Sequence, residues 1–175
     1  DGTLKVGTIT TSSGSGNITI GSGVTIDVNK PSFFASKTSG NQSVSHNTWT
    51  KVTFDSETFN DDNVFGSNKF TAPSAGKYFF TVQVCVQQGS VLLKTLLNGF
   101  YKNGSSIQDQ REIETRTDSP LYEYTINKSI ILDLSTNDYI EFYIKPQTTD
   151  SSATNIRSGS STNLMTFFQG FKIGA

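Results

Sequence analysis

One cysteine, one histidine, one methionine and one tryptophan occur in 175 residues. With Cys85 alone, no intrachain disulfide is possible. Its place between Val84 and Val86 marks it as a small packing residue. A nucleophile needs a base beside it, and nothing in the sequence pairs Cys85 with His46. There is neither an H-x-x-H nor a C-x-x-C spacing to hold a transition metal. Acidic residues are scattered, without the paired carboxylates that a polysaccharide-cleaving site needs. A non-enzymatic protein is therefore expected, with no obligatory cofactor. No run of about 18 apolar residues occurs, so no helical membrane insertion is expected. Fourteen basic against fifteen acidic residues leave a net charge of -1. That gives no basic excess to hold a nucleic acid by its phosphates. No secretory leader is visible. The chain starts at Asp1 rather than Met, so a processed chain, a fragment or the ordered part of something longer is expected.

What is present favours strands. Hydrophobic residues make up only 34%, but thirteen Phe and six Tyr compensate, since each aromatic buries a large area. Ser, Thr, Asn and Gly fill much of the rest, the residues of strands and turns. No ten-residue segment carries a helical apolar stripe. From Pro31 onward, short apolar runs alternate with turn signals. In "FTAPSAGKYFFTVQVCV", residues 70–86, Pro73 and Gly76 set a turn. Tyr78, Phe80, Val82, Val84 and Val86 then form one apolar face, with Phe79, Thr81, Gln83 and Cys85 on the other. "TWTKVTFD", 48–55, reads as a strand, and "DSETFNDDNVFGSN" as a polar loop. Asn103-Gly104 is a hairpin signal. Turns are expected at Asn127-Lys128 and over 135–138. Ile140, Phe142 and Ile144 oppose Tyr139, Glu141, Tyr143 and Lys145. A long loop over 147–162 precedes a last strand with Met165, Phe167, Phe171 and Ile173. Eight to ten strands at this spacing predict an all-β sandwich or barrel.

The first 30 residues differ. "GTITTSSGSGNITIGSGVTIDV" has no aromatic, and its apolar residues recur loosely as Ile9, Ile18, Ile20, Val24 and Ile26. A flexible tether and an anchoring stalk both fit, and the Ile/Val alternation favours the stalk. Two domains follow: an extended segment over 1–30 and a sandwich over 31–175. Asp61 and Asp62 are candidate oxygen ligands for calcium, against the plain reading of a solvated turn.

The order of motifs resembles the globular head of the first complement component, q subcomponent, and of tumour necrosis factor. The carriers are Phe70, Ala72 and Pro73 before Gly76, Tyr78 and Phe80; then Asn137, Asp138 and Tyr139; and finally Phe168, Gly170 and Phe171. The resemblance implies a ten-stranded antiparallel jelly roll that assembles as a homotrimer. It further implies that aromatics such as Phe79, Tyr143 and Phe167 line the three-fold axis. Complement-type relatives carry collagen before the head, whereas this chain has no Gly-X-Y period. Its N-terminal composition is instead similar to segments of tailed-bacteriophage structural proteins.

Those resemblances imply a trimeric knob on the outside of a virion, on capsid or tail. It would act as a decoration (cement) protein on the major capsid protein, or as a head or tail fibre knob. A fibre knob would bind a host surface receptor or glycan. The alternative is a secreted cytokine- or lectin-like trimeric module of a cellular organism. That alternative would give meaning to the Asn-x-Ser/Thr sequons at Asn17, Asn41, Asn103 and Asn127.

Overall fold

A computed structural model describes residues 30–87, 93–114 and 121–174. The segment with Ile9, Ile18, Ile20, Val24 and Ile26 lies outside the described residues. Thirteen strands follow in order: β1 (Ser32–Ser36), β2 (Gln42–Val44), β3 (Thr50–Lys51), β4 (Ser56–Asn60), β5 (Phe65–Gly66), β6 (Lys69–Thr71), β7 (Gly76–Gln87), β8 (Leu93–Lys102), β9 (Ser105–Glu114), β10 (Glu123–Leu134), β11 (Tyr139–Thr148), β12 (Thr154–Ile156) and β13 (Phe167–Gly174). Among the described residues there is no α-helix, only a 3-10 turn over Asp61–Asn63.

The strands form two antiparallel sheets. The first, of seven strands, is centred on β7, which pairs along its whole length with β10. The other edge of β7 takes β13 and then β12; β1 and β4 follow β13, and β2 follows β12. The second sheet has six strands in the order β5-β6-β11-β8-β9, with β3 also on β11. Strand alternation sends Tyr78, Phe80, Val82, Val84 and Val86 inward, all buried, as the period of two requires. Ile140, Phe142 and Ile144 do the same from the second sheet.

The core is built of rings. Phe168, fully buried, packs edge-on to Phe33 with centroids 4.9 Å apart. It also lies within about 6 Å of Phe54, Phe65, Phe80 and Phe100. Phe100 belongs to the second sheet and packs edge-on against Phe142 with centroids 5.0 Å apart, so this ring ties the two layers together. Gly170, two residues on, is needed for close approach. A Cβ there would sit 2.5 Å from the Phe80 ring and 2.8 Å from the Phe79 carbonyl oxygen.

The Asn103-Gly104 hairpin is present, with φ of 53° and 77°, the left-handed pair that a type I′ turn requires. The turn over 135–138 is also present. Asp138 accepts the Ser135 N–H at 2.7 Å and the Asn103 side-chain amide at 2.7 Å, and pairs with Lys102 at 2.8 Å.

Four expectations are corrected. Asn127-Lys128 is not a turn but lies inside β10, opposite Gln83 and Val82. A continuous ladder of twelve pairs with β7 outweighs the turn preference of one asparagine. The strand expected over 48–55 shrinks to Thr50–Lys51. Beyond it, the Thr53 and Phe54 N–H groups donate to the side-chain oxygens of Gln42 and Asn68, which replace a ladder partner. The polar loop after residue 54 contains β4 and β5, and buries Val64 and Phe65. The expected loop over 147–162 starts with the last two residues of β11 and contains β12, whose Thr154 and Ile156 are buried.

Two measurements check this account. Phe168→Ala should destabilise the domain by about 3–5 kcal/mol in urea unfolding, the range for truncating a buried phenylalanine. The three donors hold the Asp138 carboxyl at about 2, against an ordinary 3.8, with the Lys102 bond the largest cause. A depressed folded-state value gives stability that is present above pH 4 and lost as pH falls towards 2. Asp138→Asn should therefore melt below the parent at pH 7, and that gap should close between about pH 4 and pH 2.

Candidate functional site

Side chains that point away from the core create two unlike surfaces. On the outer face of the seven-stranded sheet, Phe79 and Phe171 face each other across β7 and β13, with centroids 5.5 Å apart. Phe34 stacks on Phe167 at 5.5 Å and 17°, and lies 6.2 Å from Phe59. Ile131, directly opposite Phe79 in the β7–β10 ladder, is 60% exposed, and Phe171 is 47% exposed. Thr81, Gln83 and Gln169 interrupt this apolar surface. Gln83 is held by bonds to the Leu164 and Met165 carbonyls, and Thr81 by one to the Lys128 carbonyl. A sheet face exposed to water ordinarily carries polar residues, and contiguous phenylalanines depart from that pattern.

The outer face of the six-stranded sheet is aromatic and charged. Tyr101 and Tyr143 lie 4.2 Å apart, and Trp49 meets Tyr101 at 5.9 Å. Glu141, beside Tyr101 in the β8–β11 ladder, is buried. Lys51 donates to one oxygen of Glu141 at 3.1 Å, and the Tyr143 hydroxyl to the other at 3.5 Å. Gly99 sits directly opposite Tyr143, so no side chain rises from β8 at that position. Burial, with Asp109 second, pushes the Tyr101 hydroxyl up; burial, with Glu141 second, does the same to Tyr143.

The geometry brings Phe79 and Phe167 to one face and places Tyr143 on the opposite sheet. Tyr143 is thus not their neighbour, because β11 belongs to the second layer. The sequence reasoning missed Phe34, Phe59 and Ile131 on the first face, and Trp49, Tyr101 and Glu141 on the second. Alternation within β13 (Phe167, Gln169, Phe171, Ile173) was the available signal for the first. Nothing in the sequence links Trp49 with Tyr101, since cross-strand register decides that contact.

Asp61 and Asp62 stand exposed on the 3-10 turn, where Asp61 accepts the Ser32 hydroxyl. Among the described residues, no group of three or more His, Cys, Asp or Glu side chains is arranged to hold a metal ion. His46 Nδ1 accepts the Thr148 N–H at 3.1 Å, which ties the segment after β2 to the end of β11. Cys85 is buried, its N–H donates to the Thr166 hydroxyl, and burial pushes its thiol up. The two residues are engaged separately.

The C1q domain family model matches residues 32–173. Solved structures give the same answer at the level of fold. The globular domain of zebrafish complement 1qA protein superposes with a TM-score of 0.54 at 16% identity, covering 82% of this chain and 97% of its own. Murine APRIL gives 0.52 at 13% identity, with 83% and 100% coverage. The Eiger TNF of S. frugiperda gives 0.56 at 11% identity, with 83% and 93% coverage. The two curled antiparallel sheets are thus a jelly roll of that kind. No curated protein matches the chain.

A buried thiol with a raised pKa reacts slowly, because the thiolate is the nucleophile. Cys85 should react with a thiol-specific aromatic disulfide at least about a hundredfold faster in guanidinium than in the native state at pH 8.

Proposed function

The chain belongs to the C1q domain family, and from that premise we propose that it is a non-enzymatic, homotrimeric display module. The observation that carries this reading is the phenylalanine-rich outer face of the seven-stranded sheet. Phe34, Phe59, Phe79, Phe167, Phe171 and Ile131 lie on one side of one layer, five of them in ring contact. Covering that surface with two further copies removes apolar area from water. A closed three-fold arrangement does so without leaving an open, propagating contact. Three copies also present any binding site three times, which gains avidity.

The setting we favour is the outside of a bacteriophage particle, as capsid decoration or as a head or tail fibre knob. The Gly/Ser/Thr-rich sequence before residue 31 supports this, since it stands where a collagen repeat would be expected in a complement-type chain. In that setting residues 1–30 join the knob to the major capsid protein or to another virion protein. A secreted module of a cellular organism is the second reading. It is favoured by the animal origin of the three structural relatives.

Light scattering tests the assembly. The full chain and residues 31–175 should each give three times their own chain mass, 19.1 kDa for the full chain. Phe171→Asp should yield monomers with an unchanged fold, because it places a charge on the surface to be covered. A monomeric parent chain would overturn the reading. Quantifying the chain against the major capsid protein in purified particles separates decoration, many trimers per particle, from a fibre knob, few. Absence from particles, with glycan on Asn41 in a secreted fraction, would instead support the cellular reading.

A further inference from the structure

The surface over the six-stranded sheet is used neither by the core nor by the proposed assembly, which lies on the other layer. It is nonetheless costly to build. Glu141 is 6% exposed on the outward side of a sheet, where a threonine or lysine would satisfy the fold. Burying a carboxylate carries a desolvation penalty that needs an ion pair and hydrogen bonds to offset it. Lys51 and the Tyr143 hydroxyl supply these, and Lys51 also donates to the Ser67 carbonyl at 3.1 Å. The result is a fixed, charge-neutral polar group beside three half-buried rings: Trp49, Tyr101 and Tyr143.

We infer that this patch binds a neutral oligosaccharide. The inference rests on the display-module reading and names what that module displays a site for. A pyranose has an apolar C–H face, which stacks on an aromatic ring, and a rim of hydroxyls. Tyr101, Tyr143 and Trp49 offer the rings. Glu141 takes the Tyr143 O–H and one Lys51 N–H, so the Tyr143 oxygen is held as an acceptor, while the Tyr101 hydroxyl and the remaining Lys51 N–H offer donors, before a ligand arrives. Pairing of Lys51 with Glu141 cancels charge at the centre of the patch, so a neutral polyol matches it better than a polyanion. Lys69 is engaged in the same way, 4.3 Å above the Tyr139 ring.

Trp49 is the single tryptophan of the sequence, so its fluorescence reports on this patch alone. The full chain is titrated with maltohexaose, cellohexaose, mannohexaose and chitohexaose, and probed on an array of neutral glycans. At least one should shift the Trp49 emission saturably. Tyr101→Ala and Tyr143→Ala should each weaken that binding about tenfold, or about 1.4 kcal/mol. Tyr143→Phe, which keeps the ring, should weaken it less; all three variants should keep the parent's solution mass and stay folded at the assay temperature, with the two Tyr143 variants melting lower because they leave the buried Glu141 short of a donor. Unmoved emission together with an empty array overturns the inference, as does binding that the alanine variants leave intact. Equal binding of a hexuronate oligomer overturns the neutral class. Because each patch lies within one chain, a monomer that binds overturns the assembly and keeps the site. A trimer that does not bind does the reverse.

Discussion

The packing of Phe168 between the two sheets is the contact on which the other features depend. It is contributed by the last strand, it meets Phe33, Phe65 and Phe80 in the core, and it reaches Phe100 across the sandwich. Each such ring pair adds about 0.5–1.5 kcal/mol beyond the area it buries. A chain with only 34% hydrophobic residues obtains a full core this way, from a few large side chains rather than many aliphatic ones. The consequence is geometric as well as energetic. Rings interlocked at fixed angles define the separation and register of both layers, and therefore the positions of every outward side chain.

Strand alternation converts that core into two surfaces. Where Phe168 turns in, Phe167 and Gln169 turn out; where Phe142 turns in, Glu141 and Tyr143 turn out. The outward residues of the two sheets share aromatic character but differ in companions. On the first sheet the rings stand beside Ile131, and the polar residues near them are tied to the chain's own carbonyls. That leaves an apolar surface suited to another apolar surface. On the second sheet the rings stand beside an ion pair. That arrangement suits a ligand that is apolar on one side and hydroxylated at its edge.

Much of the architecture was legible in the sequence because it rests on local rules. The period of two in 76–87 and 139–146, the Asn103-Gly104 pair and the turn over 135–138 all hold, and the resemblance in motif order matches the family that residues 32–173 belong to. The misreadings arose where non-local partners decide the outcome. Asn127-Lys128 stays extended because β7 offers a complete ladder. Thr53 and Phe54 leave the strand because Gln42 and Asn68 take their donors. Tyr143 lies on a different sheet from Phe79 and Phe167 for a related reason. Alternation tells which residues share a face of one strand, but not which sheet that strand joins.

The same limit explains why the second surface was not visible in advance. Trp49, Tyr101, Glu141 and Tyr143 come from three strands or their flanks, separated by up to 94 positions in the numbering. Their meeting depends on β3 and β8 both flanking β11, with Tyr143 opposite Lys51 on one side and Gly99 on the other. Gly99, directly opposite Tyr143, adds no side chain of its own to this face. A Cβ there would sit 2.5 Å from the Gln108 carbonyl oxygen, so neighbouring β9 restricts the position to glycine. The close approach of β9 thus keeps the position opposite Tyr143 bare. The polar network of the surface is in this sense fixed by sheet geometry before any ligand is considered.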